Sequence, residues 1–249
     1  VNLRLSVLAA PGILLAALAA FATGKPKEKP PEFKLVDSGV FSVVMDGRPV
    51  ATETFSVEQD ANGSITKSEF KTAEGVPPAT QTSELEISPA GDLRRYEWKE
   101  LTPGKAQATV GLKDEFLVER TLSTPQAKPE EQPFLLPAST SILDDYFFVH
   151  REILVWKYMA ATCKHDEGKV QCPLGQKTQF GTLNPHVPAS MPVELEFMGR
   201  EKIPLKGQPQ ELNRFNLKSE TGEWAIWMDD QFKIMRILIA SEKTEILRQ

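Results

Sequence analysis

The sequence is short of almost everything that builds a metal centre or a hydrolytic triad. It has two cysteines and three histidines in 249 residues, and no spacing among them matches an established zinc pattern. His165 and His186 have no serine or carboxylate pattern around them that would suggest a triad. The stretch Gly175-Gln176-Lys177-Thr178 lacks the upstream glycine of a phosphate loop, so nucleotide chemistry has no support. Positive charge is scarce too: 29 Lys and Arg stand against 34 Asp and Glu, a net charge of −5. A surface that neutralises phosphates needs the opposite balance, which argues against nucleic acid as a partner. No internal repeat or low-complexity tract is present. The expectation is a protein that is not an enzyme and uses neither metal nor cofactor.

What is present begins with an address. Arg4 precedes an apolar run over residues 5–22 that ends in Ala20-Phe21-Ala22. A basic start, a short apolar core and small residues two apart mark residues 1–22 as an export signal peptide. The competing reading is an uncleaved anchor, which would be the chain's one attachment to a membrane. No cysteine follows the run, so a bacterial lipoprotein anchor is not expected. Residues 23–38, which include KPKEKPP, read as a charged, proline-rich spacer. Residues 39–249 read as one β-rich domain. Export places it in the periplasm or outside the cell, where an isolated pair such as Cys163 and Cys172 is expected to form a disulfide. The rival reading is a metal held by Cys163, His165 and Cys172, three ligands at a spacing foreign to zinc.

Around residues 141–161, SILDDYFFVHREILVWKYMAA, the periodicity changes. Apolar residues recur at Leu143, Tyr146/Phe147, Ile153/Leu154 and Tyr158, and Val149, Trp156 and Met159 widen the stripe. That spacing predicts one helix buried on more than one side. Ser141 is the expected cap, with Asp144 and Asp145 in the first turn. On either side the pattern is of strands. Seven precede the helix, the first two flanking Asp46-Gly47, a strong hairpin signal. In the second, Ala51, Phe55 and Val57 alternate with Thr52, Thr54 and Ser56. In the seventh, Phe116, Val118 and Leu122 are read as the buried face. Residues 124–137 are a proline-containing crossover. After the helix, prolines 185, 188 and 192 keep the chain irregular, and residues 191–205 read as a hairpin about Gly199-Arg200. A later strand at Trp224, Ile226 and Met228 is apolar on both faces, so both need cover. The fold class expected is mainly β, a curved antiparallel sheet or half-barrel partly wrapping one central helix.

Three stretches, GVFSVVMDGRPVATETFSV (39–57), SILDDYFFVHREIL (141–154) and EWAIWMDDQFKIMRILI (223–239), give the chain a resemblance to exported bacterial half-barrel proteins of the LolA/LolB type and related uncharacterised periplasmic families. The resemblance implies a curved sheet over a helix-covered apolar cavity, and a carrier of acyl chains or related lipids. The chain departs from LolA in its disulfide loop and its proline-rich insert.

Among the remaining polar residues, His150 on the apolar side of the helix reads as a partnered core residue, and Asp229-Asp230 as turn chemistry. The aromatic residues are the better lead. Trp98, Phe116, Phe147, Trp156 and Trp224, with Ile226, are expected to line an apolar space between helix and sheet. The function expected is non-enzymatic binding of an apolar or amphipathic, lipid-like ligand there. With a filled core instead, the chain would be a cell-envelope structural or interaction module with a protein partner.

Overall fold

The computed structural model describes residues 32–166, 169–187 and 189–249. The expected signal peptide and the KPKEKPP stretch lie outside the described residues. Eight strands come first: β1 (Lys34–Met45), β2 (Arg48–Asp60), β3 (Gly63–Thr72), β4 (Thr80–Ile87), β5 (Leu93–Thr102), β6 (Gln107–Lys113), β7 (Phe116–Leu122) and β8 (Glu130–Phe134). Each pairs antiparallel with the next. β1 begins at Lys34, so residues 34–38 are strand rather than spacer. The first hairpin turns on Asp46 and Gly47 with φ of 50° and 76°, the left-handed pair that suits a two-residue connection.

A second meander follows the helix: β12 (Lys177–Asn184), β13 (Ala189–Leu205), β14 (Gln208–Lys218), β15 (Glu223–Met228), β16 (Ile234–Ile239) and β17 (Thr244–Arg248). β17 pairs antiparallel with β1, which fuses the two meanders into one 15-stranded sheet. The far edge is the two-residue β9 (Ser141–Ile142), parallel to β12. The sheet is curved and antiparallel but not closed into a barrel, as the sequence led us to expect. Only residues 135–140 separate its two edge strands, β8 and β9, along the chain.

Helix α1 (Val149–Thr162) is the single α-helix among the described residues. Every residue from Val149 to Val155 is buried, charged ones included, so its first half is enclosed on all sides. Glu152 ties it to the seam between the meanders. Its Oε2 accepts the Ile234 N–H at 2.6 Å and stands 3.7 Å from the Arg248 guanidinium. Arg248 also binds Asp37 of β1 at 2.7 Å, with Lys233 at 3.1 Å. Burial, with the Asp37 carboxyl beside it, drives the Glu152 pKa well up. Burial works the same way on Asp37, but Arg248 and Lys233 outweigh it and hold that carboxyl below its ordinary value.

Five expectations are corrected. The helix starts at Val149, not Ser141, because residues 141–142 pair with β12 and the Leu143 N–H donates to the Leu183 carbonyl. Leu143, Phe147 and Phe148 are buried in the core ahead of the helix rather than on a helix face. The crossover contains β8, despite Pro133, because it is an edge strand and an edge can spare an N–H. The stretch before Pro185 is β12. In β7 the buried face is Leu117 and Glu119, and Phe116 is 44% exposed; one residue of offset reverses every side chain in a strand.

The fifth correction concerns β13, which runs straight through Gly199. A register shift between Phe197 and Gly199, with Gly199 at φ 94°, makes a bulge instead of a hairpin. The extra residue flips the alternation. Leu195 and Phe197 face the helix, whereas Ile203 and Leu205 join Leu212 and Trp227 in a separate cluster on the outer face. That cluster is the second cover required by the two-faced strand β15. The guanidinium carbons of Arg236 and Arg214 lie 5.1 and 5.6 Å from the Trp227 ring and shield it from water.

Candidate functional site

The first turn of a helix leaves N–H groups with no partner inside the helix. Phe148, the residue at the N-cap, supplies no side-chain acceptor. Glu53 of β2 supplies it from 95 positions upstream: its carboxylate accepts the N–H of Phe148 at 2.7 Å and of Val149 at 3.4 Å. Ser68 on β3 donates its hydroxyl to the same carboxylate at 2.7 Å. Burial nevertheless dominates and pushes the Glu53 pKa up to about 7, since desolvation disfavours the charged form.

Beside it lies a second buried carboxyl, Asp144. It does not sit in the first helical turn, as its position beside Asp145 suggested. It accepts the Tyr96 hydroxyl at 2.6 Å, His186 Nε2 stands 2.8 Å away, and its other oxygen takes the Tyr146 N–H at 2.9 Å. Burial would raise the Asp144 pKa, but the His186 contact outweighs it and holds the carboxyl low. For His186, burial opposes the charge and Asp144 restores it, so its pKa is raised. The His186 ring is edge-on to Trp98 at 4.6 Å and to Tyr146 at 4.9 Å. Trp98 donates to Gln81 at 2.7 Å. Glu119 on β7 is buried with one oxygen unpartnered, and desolvation carries its pKa to about 7 against the pull of His186. His150 is buried as expected but not partnered. Neither ring nitrogen has a hydrogen bond, and burial drives its pKa down to about 3.

Arg151 completes the helix start. Its Nη1 donates to the carbonyls of Asp144 and Phe147, and its guanidinium lies 4.4 Å over the Trp224 ring. Trp224 is the wall of a cavity of about 730 Å³ bounded also by Val43, Val50, Phe70, Tyr146 and Phe148. A smaller recess of about 70 Å³ shares Trp224, Asp145, Asn184, Met191 and Thr221 with that cavity and has Arg151 in its wall. Toward the other end of the helix, Trp156, Ile153, Ala160 and Ala161 border a second cavity of about 370 Å³. There Lys157 spends its ammonium on the carbonyls of Gly91 and Ser139.

The structure does not gather the six expected lining residues in one space. Trp224 borders the large cavity and Trp156 the smaller one. Phe147 and Ile226 are fully buried in packed core. Trp98 belongs to the His186 cluster, and Phe116 lines neither cavity. Sequence reading missed Glu53, Arg151, Asp144 and Glu119 as site residues. A signal was available for two of them. Glu53 follows Ala51 and precedes Phe55 on the buried parity of β2, and Glu119 shares the parity of Leu117 on β7.

Cys163 and Cys172 form the expected disulfide, with Cα atoms 4.2 Å apart. It closes a short hairpin of β10 (Lys164–Asp166) and β11 (Lys169–Gln171) directly after α1. Among the described residues no three His, Cys, Asp or Glu side chains converge as metal ligands, and no helix is long and apolar enough to cross a membrane.

No protein-family model and no curated protein matches the chain. Among solved structures, a DUF1089 family protein from Pseudomonas aeruginosa is similar with a TM-score of 0.43 and 9% identity, over 74% of this chain and 87% of that one. A likeness this distant establishes no kinship, and it gives the LolA/LolB resemblance no specific support.

Proposed function

We propose that this chain is an exported, non-enzymatic protein that binds one lipid-like molecule in the cavity at the start of α1. The observation that carries the reading is the cavity itself. At about 730 Å³, with Val43, Val50, Phe70, Phe148, Trp224 and Ile239 in its walls, it has the size and lining of a small-molecule site. The amphipathic character follows from its neighbours: an apolar chamber opens beside the recess that contains Arg151, Thr182 and Asn184. The apolar leader at residues 5–22 and the disulfide support export. The resemblance to half-barrel lipid carriers supports the ligand class by analogy alone.

Native mass spectrometry of protein purified from the periplasm, followed by organic extraction, tests the reading. A co-purifying lipid, or saturable uptake of a fluorescent fatty acid abolished by Val50→Trp, is the expected result. Protein at its bare mass that takes up no probe would overturn it and favour the envelope scaffold with a protein partner.

A further inference from the structure

The guanidinium of Arg151 is the most enclosed cation at the candidate site, and half of it is unused. Nη1 is committed to two backbone carbonyls. Nε has no hydrogen-bond partner, and the nearest anion to Nη2 is Asp145, whose Oδ1 stands 4.0 Å away, beyond hydrogen-bond reach. Nε and Nη2 together form the side-on edge that grips a carboxylate with two parallel hydrogen bonds. Trp224 stacks on the flat face of the same group. Burying a cation with donors unfilled is costly, and burial already lowers the Arg151 pKa.

Resting on the lipid-binding reading above, we propose that the ligand is a fatty acid whose carboxylate is taken by the Nε–Nη2 edge of Arg151 in the recess, with its acyl chain in the large cavity. The two spaces share Trp224, Met191 and Thr221, so the head and the tail of one molecule would rest against the same residues. The carboxylates around the large cavity, Asp145, Glu220 and Glu242, are exposed. Water and salt screen them, whereas Arg151 is itself buried and its field is screened far less. The buried cation therefore decides which head is accepted; Glu220 and Glu242 only slow the arrival of anions, whereas Asp145, 4.0 Å from Nη2, also competes with the ligand for it.

The test is titration of the purified full chain with dodecanoate, dodecanol, dodecyltrimethylammonium and a dodecanoyl lysophosphatidate, followed by calorimetry and tryptophan fluorescence. Dodecanoate should bind at least tenfold more tightly than dodecanol, with the cation weakest. Asp145→Asn should tighten dodecanoate severalfold, because it removes the one anion poised near Nη2. The fluorescence response should vanish in Trp224→Phe and persist in Trp156→Phe. Arg151→Lys should bring dodecanoate down to the affinity of dodecanol; if that variant does not fold, the wild-type ligand series decides alone. Equal binding of dodecanoate and dodecanol would overturn the carboxylate assignment and leave the cavity reading standing. Lysophosphatidate binding more tightly than dodecanoate would also overturn it. A response carried by Trp156 would move the ligand to the other cavity. No binding by any of the four would bring down the cavity reading itself.

Discussion

The two halves of the sheet present opposite inner faces to the same helix. β12 to β17 offer an almost unbroken apolar wall: Val193, Leu195, Phe215, Leu217, Ile226, Ile237 and Ile246 are buried there. β2 to β7 bury Glu53, Ser68, Gln81, Ser83 and Glu119 among Phe55, Leu85 and Leu117. The apolar wall holds the helix by area removed from water, which has no preferred direction. The polar wall holds its start by hydrogen bonds, which fix both place and orientation. One half thus supplies adhesion and the other supplies register, and the large cavity opens where the two meet at the start of the helix.

The comparison breaks most visibly in the apolar wall. Phe215 is fully buried and packs edge-on against Tyr158 of α1 at 5.9 Å between ring centroids. Phe215→Ala should cost about 3–5 kcal/mol by chemical denaturation. A loss under 1 kcal/mol would mean that this wall is not what grips the helix.

The polar wall should instead reveal itself through pH. The folded Glu53 pKa of about 7 lies above its ordinary value of 4.5. The folded state then holds that proton more tightly than the unfolded chain, so its contribution is complete below pH 4.5 and is lost as pH rises toward 7. The span corresponds to about 3 kcal/mol. Glu53→Gln should lack this share, so the stability difference between wild type and variant should shrink by that amount from pH 4.5 to 7. A difference that stays flat over this window would show that Glu53 does not titrate there. Glu119, whose pKa is also raised to about 7, titrates in the same region, and its contribution cancels in the subtraction.

Where the helix passes into the apolar half, the Cys163–Cys172 link closes a loop with a sequence separation of 9. Replacing both cysteines by alanine should lower stability by about 2–3 kcal/mol on the chain-entropy model. Ligand uptake should be unaffected, because the candidate site lies at the other end of the helix; a loss of uptake would tie the two ends together. The smallest effect should come from Tyr96→Phe, which deletes one bond to a charged partner, the Asp144 carboxylate. About 1.5 kcal/mol is expected, with the His186 pKa, read by NMR titration, staying above its ordinary value because the His186–Asp144 contact remains.

Much of the scaffold was legible because alternation is a local property. Ala51, Phe55 and Val57 gave the parity of β2, Asp46-Gly47 gave its hairpin, and Trp224 through Met228 announced a strand that needs cover on both faces. Legibility failed where a polar residue occupied a buried parity, or where a bulge changed the parity midway. In β7, Glu119 hid the true face and made Phe116 look internal. In β13, the bulge before Gly199 read as a turn. The candidate site suffered most, since Glu53 and Phe148 are 95 residues apart and Asp144 meets His186 across 42.

By itself, then, the sequence determined the strand-rich class, the presence and the end of the central helix but not its start, and the pairing of its two cysteines. Each depends on periodicity or on near neighbours in the chain. Tertiary structure alone decided that the helix is capped from β2, that Arg151 keeps a free edge beside Trp224, and that the two meanders meet beside a cavity at the start of the helix. Those outcomes depend on which side chains a curved sheet brings within about 3 Å of one another, a distance that no local pattern encodes.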